Sequence, residues 1–303
     1  MIPSISVIIP THKRAAILRE TLRHLEAQTI ADQLEVIVVS DGHDSETSRM
    51  FQRIENGPAF AKASVGRELK IENIRSIFLE IKKTQQGVAR NRGLEKATAP
   101  ITLFIGDDAF LAPDACEKHL EIHHSQLSII NYQFPVAVLG FTTWDPAVGI
   151  TPVMKWLEKT GWQFGYSMIK QYAGKAIPQD IQHRFTYTIH ISLPTRIARE
   201  HPFREDLTLY GWEDVLWGKQ LADANVALVY EPRAKALHHH RITLEDSLKR
   251  METIGRSAAV IRTIDPSFDR LPQGWKAIAY RLLSTLPTMR GKHAKALLRG
   301  VGR

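Results

Sequence analysis

Two pairs of neighbouring acidic residues are the groups in this sequence best suited to chemistry. Asp107 and Asp108 follow a short apolar run, and Glu213 and Asp214 follow a Gly-Trp dipeptide. Divalent cations such as Mg²⁺ and Mn²⁺ prefer carboxylate oxygens, and a bound cation neutralises charge that develops on a departing group. The first pair therefore predicts a cation site. The second is a candidate general base, although a helix N-terminus also favours acidic residues for its dipole alone.

Asp41 and a glycine-flanked arginine are candidates for binding a phosphorylated ligand. Asp41 ends a second apolar run, where its carboxylate can accept from a nucleobase N–H or a ribose hydroxyl. Gly87 and Gly93 permit close approach of the backbone, and Arg90 between them can meet a diphosphate. Each also has a plainer interpretation: a turn aspartate that caps the next helix, and a solvated arginine at a helix start.

The elements that must position these residues alternate in period along the first third of the chain. Strands are predicted at residues 4–10 and 35–41, within 74–81 and at 101–105, with helices at 15–28 and 87–97. This alternation predicts an α/β fold with a mostly parallel sheet flanked by helices, whose ligands bind beyond the carboxyl ends of the strands. No G-x-G-x-x-G motif follows the first strand and no Walker A lysine occurs, which argues against dinucleotide oxidoreductases and P-loop NTPases.

The pattern loosens after Asp114. A helix is predicted from there to about Gln126, followed by strands at 136–143, 186–194 and 226–230 and a helix from Glu213. Thr243 and Asp246 fit a capping box that opens a long helix. His119 and His123 are four residues apart on the first of these helices, where we expect a solvated or acceptor-side face.

Five short motifs occur in a recognisable order. They are Ser-Val-Ile-Ile-Pro-Thr at 6–11, Val-Ile-Val-Val-Ser-Asp at 36–41, Gly-Val-Ala-Arg-Asn-Arg-Gly at 87–93, the strand ending in acids at 107–108, and Gly-Trp-Glu-Asp at 211–214. In this order the chain resembles the family 2 glycosyltransferases of the GT-A fold, over roughly residues 5–240. The resemblance implies an inverting enzyme that moves a sugar from a nucleotide-diphosphate donor, most commonly a UDP-sugar, to an acceptor hydroxyl.

The resemblance also implies a role for each matching residue. Asp108 is the expected ligand of Mn²⁺ or Mg²⁺, with His238 and then His240 as further ligands, because alternate residues of an extended segment share a side. Asp214 is the expected base, and Trp212 and Glu213 are expected to hold the acceptor, Glu213 also assisting catalysis. The residues expected at the donor are Pro10, Thr11, Arg14, Asp41, Gly87, Arg90, Asn91 and Asp107. The chain departs from the usual Asp-x-Asp pattern in having Gly106 at its first position.

The net charge of +8 lies in the C-terminal tail. Residues 270–303 contain eight Lys or Arg and no acidic residue, which leaves 32 basic and 32 acidic residues elsewhere. The balanced body predicts no nucleic-acid partner. Residues 274–286 carry an apolar stripe typical of an interfacial helix, so we expect an anionic membrane surface as a partner, or else a helix packed on the body. The single cysteine, Cys116, and the absence of a long apolar run predict a cytoplasmic protein, peripheral to the inner membrane face.

Three segments are expected from these patterns. Residues 1–115 form the nucleotide-sugar half of the GT-A domain, 116–242 the acceptor and catalytic half, and 243–303 a helical basic tail. The expected setting is synthesis of cell-envelope polysaccharide or glycoconjugates, with a glycan or lipid-linked acceptor. Two alternatives stay open: a non-catalytic membrane scaffold that binds sugar nucleotides, and a sugar nucleotidyltransferase. The second would need a glycine-rich loop after the first strand, which Pro-Thr-His-Lys-Arg at 10–14 does not provide.

Overall fold

The structure, a computed structural model, describes residues 2–55, 74–128, 134–207, 210–266, 268 and 271–302. Its strands are β1 (Ile5–Thr11), β2 (Leu34–Asp41), β3 (Arg75–Ile81), β4 (Ile101–Ile105), β5 (Ala109–Leu111), β6 (Val136–Trp144), β7 (His190–Pro194) and β8 (Ala227–His238). Its helices are α1 (Ala15–Glu26), α2 (Ser45–Glu55), α3 (Gln86–Lys96), α4 (Ala115–Ser128), α5 (Pro152–Thr160), α6 (Tyr166–Ile169), α7 (Gln179–Gln182), α8 (Thr195–Glu200), α9 (Glu213–Asp223), α10 (Leu244–Ile264), α11 (Gly274–Ser284) and α12 (Met289–Gly300).

The described strands form one sheet in the order β3-β2-β1-β4-β7-β6-β8-β5. The first four are mutually parallel, β7 is antiparallel to both β4 and β6, and β8 is parallel to β6 and antiparallel to β5. The predicted α/β class, with a mostly parallel sheet flanked by helices and a helical C-terminal region, is confirmed. Strands from both sides of residue 115 share this sheet, and the division into three segments stays a prediction.

The parallel half positions the predicted site residues at one edge. Every residue of β1, β2 and β4 is buried, as expected for strands with helices on both faces. Thr11 at the end of β1 pairs with Ser40, next to Asp41 at the end of β2. On the face covered by α3, an added Cβ at Gly93 would lie 2.5 Å from Ile8 Cγ2, so glycine is what lets this helix pack closely on β1.

The second half of the sheet differs more from the sequence prediction. The strand predicted at 186–194 begins only at His190, and the strand predicted at 226–230 continues to His238. The register of β6 on β8 shifts between Gly140 and Phe141, so the Glu-Pro sequence at 231–232 lies at an irregularity of β8. Because proline cannot donate a ladder hydrogen bond, sequence alone favoured ending the strand there. The strand instead continues past the proline, which lies in the irregular part of the ladder where no regular hydrogen bond is required of it.

The prediction of a solvated or acceptor-side face for His119 and His123 is wrong, because both side chains are buried in the core. His119 Nε2 lies 3.0 Å from His190 Nε2, and both His119 Nδ1 and His123 Nε2 lie 2.8 Å from Ser192 Oγ. Burial lowers the pKa of His190 to about 4, so this core cluster is neutral. The His190 ring fills the space next to Gly140, where an added Cβ would overlap it.

The C-terminal helices form a separate layer. Thr243 and Asp246 make the predicted capping box at the start of α10. Helix α12 packs on α10 at two glycines, Gly255 and Gly300, where an added Cβ would overlap the backbone of the other helix. Among the described residues, no helix combines the length and the apolar character that crossing a membrane would require. Two of the eight basic tail residues, Arg270 and Arg303, lie outside the described residues.

Candidate active site

The acid pair follows β4 and is held by residues that follow β1. Arg14 bridges both acids, donating from Nη1 to Asp107 Oδ1 at 2.7 Å and from Nη2 to Asp108 Oδ2 at 2.8 Å. Thr11 Oγ1 donates to Asp107 Oδ2 at 2.7 Å, and Thr21 Oγ1 donates to the Asp107 carbonyl at 2.6 Å. The neighbouring parallel strands thus bring Thr11, Arg14 and the acid pair together, as predicted from their positions at strand ends.

Gly106 leaves room for the orientation that Asp108 adopts. An added Cβ at Gly106 would lie 2.9 Å from Asp108 Oδ1 and 3.2 Å from Ile189 Cγ1. A larger residue there would push against the Asp108 carboxylate or against the segment before β7. The departure from the Asp-x-Asp pattern is therefore matched by a local conformation in which Asp108 occupies the space of the missing side chain.

The three consecutive histidines at the end of β8 divide between two sides. His238 Nε2 and His240 Nδ1 each lie 3.3 Å from Asp108 Oδ2. The ring of His239 points elsewhere, with Nδ1 2.6 Å from Asp145 Oδ2, while its backbone N–H donates to the Asp108 carbonyl at 2.8 Å. The alternation predicted from an extended segment is confirmed in the geometry: the outer two histidines face Asp108 and the middle one does not.

These three residues fit a divalent cation. One ligand atom from each of Asp108, His238 and His240 can be chosen so that all lie within 4.8 Å of one another. Two ligands of one cation, each about 2.2 Å from it, are at most about 4.4 Å apart, so small side-chain movements would suffice. Asp108 and His238 are buried while His240 is exposed, which leaves one side of the group open to solvent. A buried carboxylate with two imidazoles is a donor set that transition metals accept.

The two acids of the pair have opposite pKa shifts. Burial raises the pKa of Asp107 to about 6, and the negative charge of Asp108 adds to the effect. Burial acts in the same direction on Asp108, but the hydrogen bonds from His238 and His240 outweigh it and hold the pKa of Asp108 well below its usual range. Asp108 is therefore the member of the pair that keeps its negative charge to lower pH.

Asp41 lies at the neighbouring strand end and ties β2 to the segment after β3. Lys83 Nζ donates to Asp41 Oδ2 at 2.7 Å, and the backbone N–H of Thr84 donates to Oδ1 at 2.6 Å. Burial raises the pKa of Asp41, but these hydrogen bonds outweigh burial and lower it overall. The Lys83 side chain is mostly exposed, so one partner of this buried carboxylate faces solvent.

Helix α3 contributes Gly87, Arg90 and Asn91. An added Cβ at Gly87 would lie 3.1 Å from Phe203 Cβ, so this glycine lets α3 pack closely against Phe203. Asn91 donates to the Phe203 carbonyl at 2.8 Å and to Glu205 Oε1 at 3.0 Å, and it accepts from the Phe203 N–H. These contacts engage both amide hydrogens of Asn91, which is a structural role that the sequence did not predict.

Arg90 is the least satisfied polar group of the site. Its guanidinium is buried 5.6 Å above the Phe203 ring, and its Nε and Nη1 atoms have no hydrogen-bond partner among the described residues. Burial lowers the pKa of Arg90, and the charges of Glu213 and Asp214 oppose that shift. Unpaired donors on a buried cation cost free energy unless a ligand accepts them, so Arg90 is suited to an anionic ligand.

Asp214 lies in the first turn of α9, after an unusual backbone turn. Gly211 and Trp212 both have positive φ, of 95° and 74°, and Glu213 begins the helix. Trp212 Nε1 donates to the Ile254 carbonyl at 3.0 Å, so the indole is directed to α10. A left-handed backbone conformation costs free energy for tryptophan, and backbone strain of this kind is concentrated at functional sites. It sets the direction in which Glu213 and Asp214 leave the turn.

The environment of Asp214 tunes its affinity for a proton. Burial raises the pKa of Asp214 to about 7, and the charge of Glu213 adds to the effect. The neighbouring Val215 N–H, which donates at 2.8 Å, and the charge of Arg90 oppose the shift without cancelling it. A carboxylate with a pKa close to neutral is well matched to general base catalysis.

Aromatic side chains, among them Phe164 and Tyr166 of the aromatic-rich segment 156–166, link the surroundings of the two acidic groups. Phe164 packs edge-on to His238, and Tyr166 lies between Phe164 and Tyr187. Burial raises the pKa of Tyr187, and the charge of Asp214 contributes to the same shift. The segment that carries Tyr187 continues to Ile189, whose carbonyl accepts from the Gly106 N–H at 3.2 Å. A continuous layer therefore runs from the Asp108 group to Asp214.

Comparison with known sequences decides the family. The sequence model of Glycosyl transferase family 2 matches residues 6–188, which is more than half of the chain and includes the acid pair. The chain belongs to glycosyl transferase family 2. The resemblance read from the five motifs is thereby confirmed.

Curated members of similar sequence are glycosyltransferases by name. Validoxylamine A glucosyltransferase of Streptomyces hygroscopicus subsp. jinggangensis (strain 5008) is 26% identical over 247 residues, covering 73% of this chain and 51% of that protein. The putative glycosyltransferase EpsH of Bacillus subtilis (strain 168) is 26% identical over 132 residues, covering 43% of this chain and 34% of that protein. The chain thus spans about half of the length of the first relative and about a third of the second.

Solved structures share the fold of this family 2 member. S. aureus TarS 1-349 in complex with UDP-GlcNAc matches with a TM-score of 0.53 and 18% identity, over 84% of this chain and 66% of that one. Mannosyltransferase PcManGT from Pyrobaculum calidifontis, in complex with GDP-Man and Mn²⁺, matches with a TM-score of 0.56 and 16% identity, over all of this chain and 76% of that one. These likenesses confirm the GT-A-like fold.

Proposed function

We propose that this protein transfers a sugar from a nucleotide-diphosphate donor to an acceptor hydroxyl with inversion at the anomeric carbon. The observation that carries the proposal is the convergence of Asp108, His238 and His240 within 4.8 Å of one another, beyond β4 of a family 2 fold. A lone acidic turn would have little need of two imidazoles directed at one carboxylate oxygen.

The donor is assigned to the edge formed by the ends of β1, β2 and β4. Thr11, after Pro10, and Asp41 are proposed to hold the nucleoside, while Asp107 accepts from a sugar hydroxyl. Arg14 and Arg90 supply positive charge to the diphosphate, and Arg90 has two donor atoms without a partner among the described residues. Gly87 and Asn91 shape α3 beneath it. A UDP-sugar is the proposed donor, since one structural neighbour binds UDP-GlcNAc, although another binds GDP-Man.

The cation site is assigned to Asp108, His238 and His240. A bound Mn²⁺ or Mg²⁺ would neutralise the charge that develops on the departing diphosphate. Between the two we favour Mn²⁺, because imidazole nitrogens suit transition metals better than they suit Mg²⁺. A neighbour of similar fold is in complex with Mn²⁺.

The base is assigned to Asp214. The acceptor hydroxyl would attack the anomeric carbon from the side opposite the diphosphate, and the carboxylate would take its proton. The pKa of about 7 lets Asp214 be ionised before the attack and still hold the proton after it. Glu213 is proposed to orient the acceptor. Trp212 is directed to α10, so its proposed contribution is to shape the acceptor side through its strained turn.

The proposed setting is the cytoplasmic face of the cell membrane. The exposed basic residues of the C-terminal region suit an anionic surface, which is where a lipid-linked or envelope-glycan acceptor would be met. Cell-envelope polysaccharide or glycoconjugate synthesis is the process that fits both the transfer reaction and that location.

Two other functions have less support. A non-catalytic scaffold would not need the pKa of Asp214 near neutrality or the histidines around Asp108. A sugar nucleotidyltransferase needs glycines after the first strand, and residues 10–14 have none. Release of pyrophosphate from a nucleoside triphosphate and a sugar 1-phosphate would identify the second alternative.

Hydrolysis of nucleotide sugars by the purified protein tests the proposal without knowledge of the acceptor. UDP- and GDP-sugars are incubated with Mn²⁺ or with a chelator, and the released nucleoside diphosphate is measured. We expect Mn²⁺-dependent release from one donor class and a loss of about 10²- to 10⁴-fold in Asp214→Asn, because the amide cannot take a proton.

Asp180→Asn, in the short helix α7, is the matched control for that loss, since Asp180 is an exposed acid outside the proposed site. Unchanged turnover in a folded Asp214→Asn would refute the base assignment. Absence of release from every donor, together with no thermal stabilisation by any donor, would refute the proposed function itself.

A further inference from the structure

Helix α11 presents an apolar stripe to solvent. Trp275, Ile278 and Leu282 are 74%, 60% and 68% exposed, and Leu286, just after the helix, is 48% exposed. At about 100° per residue, Trp275, Ile278 and Leu282 fall within roughly 60° of one another around the helix axis. None of the eleven residues of α11 is buried. A soluble surface rarely leaves so large a contiguous group of apolar side chains without a partner.

Basic residues surround this stripe without any acidic neighbour in sequence. Lys276 and Arg281 lie about 100° to either side of the stripe on an ideal helix. Four more cations on α12 are exposed, and no Asp or Glu occurs between residues 271 and 303. These four are Arg290, Lys292, Lys295 and Arg299, of which Arg299 also lies 4.0 Å from Glu252 of α10.

The packing of α12 explains why the stripe of α11 is not buried. Helix α12 directs Ala294, Leu297 and Leu298 inward, and its contact with α10 is made close by Gly255 and Gly300. The apolar face of α12 therefore belongs to the body of the protein. Helix α11 contacts α12 from outside this layer, which leaves its own apolar side facing away.

From these observations we infer that α11 is an interfacial helix that binds an anionic lipid bilayer. The apolar stripe enters the boundary between headgroups and acyl chains, Trp275 takes the position that tryptophan prefers at such interfaces, and the flanking cations meet lipid phosphates. Each exposed cation adds to the attraction and is screened by salt.

A second copy of the chain fits this surface less well than a bilayer does. In a two-fold dimer the same patch meets itself, so the cations that flank one stripe would face the cations of the other. Repulsion between like charges opposes that arrangement. A bilayer offers both an apolar layer and an opposite charge, which are the two properties that the stripe and its surroundings share.

Sedimentation of the 303-residue chain with lipid vesicles tests the inference. Vesicles of phosphatidylcholine alone are compared with vesicles that also contain phosphatidylglycerol, at low and high salt and without any sugar donor. We expect binding to the anionic vesicles that weakens with salt. The double variant Trp275→Ser with Leu282→Ser should lower the partition coefficient at least about tenfold, and Lys276→Glu with Arg281→Glu should lower it on anionic vesicles in particular.

The matched control is Phe134→Ser, which removes an apolar side chain that is 54% exposed before β6. Its binding should equal that of the unchanged protein. Equal binding by the Trp275 and Leu282 double variant would overturn the inference, as would failure of the unchanged protein to bind. Self-association in the absence of lipid that the double variant abolishes would assign the stripe to a second copy. Because no donor is present, these outcomes are independent of the proposed transfer reaction.

Discussion

The two carboxylates central to the proposed reaction, Asp108 and Asp214, are both surrounded by protein but have opposite electrostatic environments. Asp108 accepts from a guanidinium and faces two imidazoles, and its pKa is held well below the usual range. Asp214 has Glu213 beside it and a single backbone N–H on its carboxylate, and its pKa is raised to about 7. Burial acts in the same direction on both, so the partners make the difference.

This difference suits two identical side chains to the two separate roles proposed for them. A group that grips a cation must stay charged at every working pH, and dense polar contacts provide for that. A group that exchanges a proton needs a pKa near the working pH, and burial with a like charge provides for that. Substitution of one of these carboxylates at a time tests the contrast between them.

The largest effect is expected from Asp108→Asn. The amide keeps the shape of the side chain but removes the charge from the proposed cation site, so Mn²⁺-dependent turnover of the donor should fall at least about 10³-fold. Asp107→Asn, one residue away, is the control and should lose far less. A larger loss in Asp107→Asn than in Asp108→Asn would show that the cation role belongs to Asp107.

The next effect is on stability and concerns the other carboxylate. The pKa of Asp214 is higher in the folded protein than in the unfolded chain, so its ionisation disfavours folding. The protonated carboxyl therefore contributes stability at low pH, and that contribution is lost as the pH rises through about 7. Asp214→Asn removes the cost. The free energy of unfolding of the variant, relative to that of the unchanged protein, should therefore increase by about 2 kcal/mol between pH 5 and pH 8. This value is smaller than the full pKa shift would give because the side chain is partly accessible.

Urea unfolding of both proteins at the two pH values measures this gain. Asp180→Asn again serves as the control and should show no growth with pH. A gain that shrinks as the pH rises would mean that Asp214 is ionised at low pH, and the contrast with Asp108 would then be wrong.

The smallest effect is expected from Thr11→Val. Loss of the hydrogen bond to the Asp107 carboxylate should weaken donor binding by about 1 kcal/mol. KM for the donor should therefore rise a few-fold, with little change in kcat. Thr21→Val is its control, because that hydroxyl donates to the Asp107 backbone carbonyl and should affect stability alone. Equal effects of the two variants on KM would show that Thr11 acts through packing.

Much of the parallel half was predictable from sequence because its signals are local. A fully apolar run followed by a polar residue marks both a buried strand and its carboxyl end, which located Thr11, Asp41 and the acid pair together. The antiparallel half was less predictable. The extension of β8 to His238 and the burial of His119 depend on which strands are neighbours in the sheet, and that information is not present in any single segment.

The same reason limits prediction of the site. Asp145 and Tyr187 belong to segments with no motif, and they reach His239 and the surroundings of Asp214 only through the order of the sheet. Asn91 illustrates a different limit: its motif predicts a place at the donor, and the motif did not indicate that both of its amide hydrogens are engaged by neighbouring protein groups. A motif locates a residue well but does not say which of its atoms are already in use.

The contact between Gly140 and His190 has a consequence for how this sequence can change over time. The imidazole occupies the volume that any side chain at residue 140 would need, so replacement of the glycine would force the buried histidine ring to move. Replacement in the other order leaves a cavity that a later alanine at 140 can fill. The less costly order of substitution at these two positions therefore begins at His190.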